Sequence, residues 1–263
     1  MRATLRSSVH RLRDALSRAT SAPDSGPEPP ESQEPPPEPP PSPRFDVPDV
    51  RDRDRATNLE WNRQRWGQAA GWTKADQYGY RWGGGVQQTV GGIAAFADEY
   101  LRPVTAGRYD LRVLELSPGG GRFTAELLRY ASSITLVDMN EECLRVCGER
   151  FQYVPTPIEF VANDGESLAE CRGPYDLIAC YDSMVHMHPA VIEGYVRQMA
   201  TLISPGGRIW LDHSGRGERE QGHRTQMTAE DMAQIAAQVN LEVESQRFRN
   251  DWDCVTVLRL PTS

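Results

Sequence analysis

The stretch Val113-Leu114-Glu115-Leu116-Ser117-Pro118-Gly119-Gly120-Gly121-Arg122-Phe123 passes from apolar strand character into a glycine turn that opens a helix. Glycines let a backbone run close to a ligand, and the helix behind them offers unpaired amide donors, so this order of residues points to a nucleotide-like ligand. By itself the loop would serve a dinucleotide equally well. Further along, acidic and imidazole side chains recur where strands are expected to end: Asp138, the triplet Asn163-Asp164-Gly165, then Asp182 with Ser183 and His186, and finally Asp212 with His213. Carboxylates accept hydrogen bonds, and a histidine with an unperturbed pKa of about 6.5 can take a proton from a hydroxyl under attack. Asp182, Asp212 and His213 are also hard donors of the kind that hold magnesium, but nothing fixes their spacing, and no metal is predicted.

Strand and helix alternate around these positions, the signature of a mostly parallel sheet wound with crossover helices. Strands are expected at 112–116, 134–137, 158–161, 177–181 and 208–211, with helices at 123–130, 141–151 and 191–203 between them. Thr228 with Asp231 reads as a capped helix start running to about Val239. Two late strands, 242–248 and 254–260, would close the sheet as an antiparallel pair. The predicted fold is therefore α/β and Rossmann-like, seven-stranded, with helices on both faces. His188, before Pro189, reads as a helix entry, and His223 lies in a polar loop spanning 215–225.

Four segments divide the 263 residues. Residues 1–20 place Leu5, Val9, Leu12 and Leu16 on one helical stripe among five arginines, a basic amphipathic helix suited to an anionic membrane surface or a protein partner. Residues 21–55 are dominated by Pro and Glu and read as a disordered linker. Residues 56–105 form an aromatic-rich helical cap, with Trp61, Trp66, Trp72 and Trp82 being four of the six tryptophans, and with a helix expected from Thr89 to Arg102. Those rings could stack on a ligand or simply pack on the sheet. Residues 106–263 carry the motifs above. A net charge of −8 argues against nucleic acid as a partner. Five cysteines without C-x-x-C spacing argue against a disulfide framework or a zinc site. With no run of about 18 apolar residues and no secretory signal, the expected location is the cytoplasm, with the inner face of the membrane as a docking place for residues 1–20.

The ordered motifs resemble those of class I S-adenosylmethionine-dependent methyltransferases over roughly 112–260. Glu115, Gly119 and Gly121 match the first motif, while Ser117 stands where the family has its first glycine. The resemblance implies that this loop approaches the methionine end of S-adenosylmethionine, with Glu115 orienting its amino group. It further implies that Asp138, beside Met139, accepts from both ribose hydroxyls, and that Asp164 accepts from the adenine amino group, with Asn163 and Gly165 shaping the loop. Asp182 would lie near the transferable methyl, and His186 would be the base for an accepting hydroxyl, with His213 sharing that work. Gly206-Gly207 before 208–211 matches the family's turn into strand five.

A looser similarity, to bacterial methyltransferases acting on sugars or small metabolites, makes a sugar or polysaccharide hydroxyl the expected acceptor. The alternatives are an N- or O-methyltransferase of secondary metabolism and a non-catalytic S-adenosylmethionine-binding protein. A nicotinamide oxidoreductase would require the Ser117 loop to hold a pyrophosphate and would leave Asp164 without a reason.

Overall fold

The computed structural model describes residues 54–67, 71–83, 85–217 and 224–262. The amphipathic helix expected over 1–20, nearly all of the linker and His223 lie outside the described residues.

Seven strands form one sheet: β1 Leu111–Leu116, β2 Ala131–Asp138, β3 Ile158–Ala162, β4 Tyr175–Cys180, β5 Ile203–Ser214, β6 Glu242–Phe248 and β7 Asp253–Arg259. Their spatial order is β3-β2-β1-β4-β5-β7-β6. The first five run parallel, and β7 inserts antiparallel between β5 and β6, so the expected Rossmann-like sheet with a reversed C-terminal pair is what forms. The order reverses direction between β1 and β4. At such a switch point the flanking loops leave in opposite directions and open a crevice at the strands' carboxyl ends.

Alternation along the strands supplies both faces of the core. Ile178 and Cys180 of β4, with Ile209 and Leu211 of β5, pack under α6 (Pro189–Leu202) and α7 (Ala229–Gln238). Leu177, Ala179 and Trp210 point the other way, under α2 (Val90–Tyr100), α4 (Thr124–Leu127) and α5 (Glu141–Arg150). Burial on both sides explains why these strands read as near-continuous apolar runs.

Local chemistry sets the helix starts. Asp54 caps α1 (Arg55–Arg65) by accepting from the Thr57 amide at 2.9 Å, and Thr89 caps α2 through Gly92 at 3.0 Å. Thr228 and Asp231 form a capping box on α7, and His188 caps α6 ahead of Pro189. The expected helix over 123–130 is shorter, with only Thr124–Leu127 helical before turns lead into β2. Strand β5 begins earlier than expected, at Ile203, and a register shift opposite Tyr175 and Leu177 accommodates the Pro205-Gly206-Gly207 step. Between α1 and α2 the chain makes two 3-10 segments, Lys74–Trp82 and Gly85–Gln88, the first broken by left-handed Gln77, Tyr78 and Gly79. The short α3 (Arg102–Thr105) follows α2. No helix among the described residues is long and apolar enough to cross a membrane.

Candidate active site

The glycine turn leaves β1 at the switch point with Ser117 already in the left-handed region, at φ 58°. Across the crevice Asp182, two residues past the end of β4, has φ 53°. Neither is glycine, and each such conformation costs on the order of 1–3 kcal/mol, so surrounding bonds must impose it. For Ser117 one such bond is its amide's 2.7 Å hydrogen bond to the Val137 carbonyl of β2. For Asp182 it is the 3.0 Å bond from its amide to the Asp212 carboxylate. The Ser183 hydroxyl reaches the Ser117 carbonyl at 3.4 Å and ties the two loops together.

On the β1–β3 side the carboxylates have neutral partners. Glu115 is buried, accepts from the Thr124 hydroxyl at 2.5 Å, and is pushed up to about 8 by burial. Asp138, at the tip of β2, takes the Asn140 amide at 2.9 Å and the Gly119 amide at 3.4 Å, and burial pushes it up to about 6. Asn163 is bonded to Tyr195, to the Ser167 carbonyl and to the Gly165 amide. With Ser117, Met139 and Gly165 it lines a small cavity of about 10 Å³ beneath α1. Asp164 is exposed and takes the Glu166 and Ser167 amides, outside that lining.

On the β4–β7 side the carboxylates are paired with arginine. The two oxygens of Asp182 receive Arg122 and Arg249, each at 2.7 Å. Arg249, from the β6–β7 turn, also donates to Asp212 at 2.8 Å and lies 3.1 Å from Asp253. Asp253 is gripped by Arg224 as well. Burial would raise Asp182, but the Arg249 and Arg122 guanidiniums outweigh it and hold the carboxyl well below the usual range. Asp212 goes the other way, because burial and the neighbouring charges of Asp182 and Asp253 exceed what Arg249 supplies.

His186 sits in the 3-10 turn Met184–His186, buried, its ring 4.8 Å from that of Trp66 and close enough for its charge to act on Asp182. Its carbonyl accepts from Asn58 and Asn62 of α1, both at 3.0 Å, so α1 fixes this turn. His213 is not brought to this group. Its ring lies wholly buried on the other face of β5, with both nitrogens engaged at 2.7 Å by Thr256 and the Ser214 carbonyl, and burial pushes it down to about 4. The aromatic residues of 61–82 pack on one another: Trp66 meets Trp61, Trp72 and Trp82, and Arg65 lies 4.7 Å over both Trp66 and Trp82. No group of three or more metal-binding side chains occurs among the described residues, and the five cysteines are buried and free.

The sequence reading missed Arg249, Arg224, Asp253 and the two asparagines of α1. Only Arg122, inside the glycine motif, carried a signal of position.

Residues 113–207 match a family model described as a methyltransferase domain. The matched segment is similar to methyltransferases and holds the glycine turn, Asp138 and Asp182. The chain is also similar to ubiquinone biosynthesis O-methyltransferases, with 25% identity over 122 residues to that of Shewanella pealeana and 27% over 124 residues to that of Escherichia coli. Those matches cover 46% and 44% of this chain, and the chain spans about half the length of these curated relatives, 50% and 48%. Among solved structures, magnesium protoporphyrin IX methyltransferase from Synechocystis, with bound S-adenosylhomocysteine, superposes with a TM-score of 0.56 at 15% identity over 79% of this chain and all of its own. A Clostridium acetobutylicum S-adenosylmethionine-dependent methyltransferase gives 0.55 at 14% over 72% and 97%. These superpositions bear on the fold.

The residues around the glycine turn fit S-adenosylmethionine chemically. Asp138 offers a buried acceptor at the tip of β2, and Gly119, at φ 55°, keeps the turn thin beneath Trp72, where a β-carbon would come to 3.1 Å. Gly165, at φ 93°, has Leu59 of α1 pressed against it, 2.7 Å from where a β-carbon would stand. The crevice beside the glycine turn is thus covered by α1 and Trp72.

Proposed function

We propose that this protein transfers the methyl group of S-adenosylmethionine to a hydroxyl oxygen of a small-molecule acceptor. The observation that carries the reading is Asp138, a buried carboxylate with no cationic partner, facing the amides of Gly119 and Asn140 beside the glycine turn. Ribose hydroxyls would complete its hydrogen bonding.

When bound, the cofactor would supply an electrophilic methyl on a sulfonium. Ser117, Gly119 and Gly121 would hold its methionine portion, with Glu115 behind them, and Met139, Asn163 and Gly165 would enclose its adenosine. Asp164 keeps the adenine role only if its exposed loop turns inward. His186 would take the proton of the accepting hydroxyl, and the adjacent Asp182 charge would stabilise the imidazolium formed. Support for oxygen as the acceptor comes from this histidine and from the O-methyltransferases among the relatives. The sugar version has weaker support, since Trp66 and Trp82 are engaged by Arg65 and by each other.

Calorimetric titration tests the reading: S-adenosylhomocysteine should bind and NADH should not, and Asp138→Ala should weaken binding ~100-fold through loss of charge-assisted hydrogen bonds. Binding of NADH alone, or an Asp138→Ala protein with unchanged affinity, would overturn it.

A further inference from the structure

Both arginines that hold Asp182 do so with one terminal nitrogen, and their other terminal nitrogens are turned elsewhere. Nη1 of Arg249 donates to the side-chain oxygen of Gln87 at 3.1 Å. Nη1 of Arg122 is buried and has no hydrogen-bond partner among the described residues, and the residue is only 8% exposed. It lies 2.6 Å from where a β-carbon on Gly83 would stand, a point also in contact with the Gln87 carbonyl. A third donor is the Tyr181 hydroxyl, which reaches the same Gln87 side-chain oxygen at 2.6 Å. The two guanidiniums stand 5.0 and 5.8 Å from the centre of the Tyr181 ring.

Two donors, one of them cationic, therefore converge on one neutral amide oxygen, and a second cationic donor, Arg122 Nη1, stands by Gly83 on the side that the backbone carbonyl of the same glutamine also approaches. The amide must present its oxygen, because a side-chain NH2 in its place would oppose the Arg249 N–H, which can only donate. A buried guanidinium nitrogen without an acceptor is costly, and a planar anion with two oxygens is the shape that a pair of guanidinium edges and a phenol satisfy.

We propose that Arg122, Arg249 and Tyr181 form an anion subsite that takes a carboxylate on the methyl acceptor, and that the Gln87 side chain holds its place in the closed protein. The inference rests on the proposed methyltransferase function, and names its acceptor as a carboxylate-bearing molecule. Asp182 aligns the subsite by fixing both arginines from behind. Its neighbours Asp212 and Asp253 limit the positive charge, so a monoanion fits better than a dianionic phosphate. Incoming carboxylate would displace Gln87 and give Arg122 Nη1 its missing acceptor.

The probes are benzoate and its neutral isostere benzamide, titrated calorimetrically into the full chain with and without saturating S-adenosylhomocysteine. Benzoate is expected to bind at least ~10-fold more tightly than benzamide. Gln87→Ala should strengthen benzoate several-fold by removing the internal competitor. Arg122→Gln should weaken it by about 10-fold with S-adenosylhomocysteine affinity unchanged, and the milder Tyr181→Phe should weaken it in the same direction. Equal affinity for the two probes, or benzoate binding indifferent to all three substitutions, overturns the subsite. A loss of S-adenosylhomocysteine affinity in Arg122→Gln would also overturn it, because the anion would then be the cofactor's own carboxylate. If S-adenosylhomocysteine fails to bind at all, the proposed function falls, while the titrations without it still read the subsite.

Discussion

The two halves of the crevice bury carboxylates in opposite ways. On the β1–β3 side, Glu115 and Asp138 lie in the protein with hydroxyl and amide partners only, and burial raises both. On the β4–β7 side, Asp182, Asp212 and Asp253 share Arg249, and two of them have a second arginine. An unpaired buried carboxylate is a poor contributor to stability but keeps its oxygens ready for neutral hydroxyls or amines. A paired one is held rigidly and has little capacity left, so it serves to position its cations. The β1–β3 half is accordingly arranged to receive a ligand's donors, and the β4–β7 half to present donors of its own.

The comparison breaks most visibly at Arg249. Removing this cation leaves Asp212 without a charged partner and Asp182 and Asp253 with one each, and breaking a buried ion pair from one side costs ~3–5 kcal/mol. Arg249→Met should lower unfolding stability in urea by about that much, and adding Asp212→Asn should restore part of it. A loss under ~1 kcal/mol would mean that the network is looser than its distances imply.

A pH-dependent effect of opposite sign is expected at Glu115. Its carboxyl is held at about 8 in the folded protein against 4.5 in the unfolded chain. Between those values the unfolded chain has released a proton that the folded protein retains, so this group makes stability fall as pH rises from about 4.5 to 8, and nothing further is lost above 8. Glu115→Gln should remove that fall, leaving the variant more stable than the parent by roughly 4–5 kcal/mol at pH 9 and nearly equal to it at pH 4.5. Thermal unfolding across pH 4.5–9 reads the difference. Parallel curves for the two proteins would show that the Glu115 carboxylate is already ionised in the fold.

The same contrast explains what could be read in the sequence. The β1–β3 half is built from residues at or just past strand ends, so the places of Glu115, Ser117, Gly119, Gly121 and Asp138 in the fold were legible in the sequence, and strand and helix order followed from apolar periodicity. The β4–β7 half depends on pairings that skip 60 to 67 positions, as between Asp182 and Arg122 or Arg249, and no local pattern marks them. His213 shows a different reason. It was read together with Asp212 as facing the crevice, yet adjacent residues of a strand point to opposite faces, so only one of the two could do so. Asp212 joins the arginine network with Trp210 on its side of the sheet, and His213 turns with Ile209 and Leu211 toward α7. The aromatic segment was expected either to stack on a ligand or to pack on the protein, and its rings spend their faces on one another and on Arg65.

The smallest expected effect concerns how the β1–β3 half is closed. The space beneath α1 is about 10 Å³, room for about one water, whereas ligand clefts run to hundreds of Å³. Leu59 fills the gap against Gly165, while Arg55 and Arg63 fasten the same helix to Glu166 and to the Asp164 carbonyl. Entry of a nucleoside therefore requires α1 to lift, and the observed rate of S-adenosylhomocysteine binding should level off at high concentration at the rate of that opening. Leu59→Ala would shrink the apolar wedge and leave Asn58, Asn62 and the ion pair in place. Loss of about 1 kcal/mol of closure should raise the limiting rate ~5-fold in stopped-flow tryptophan fluorescence, with little change in overall stability. A binding rate that stays linear in concentration, and is the same for both proteins, would mean that α1 does not gate the cleft.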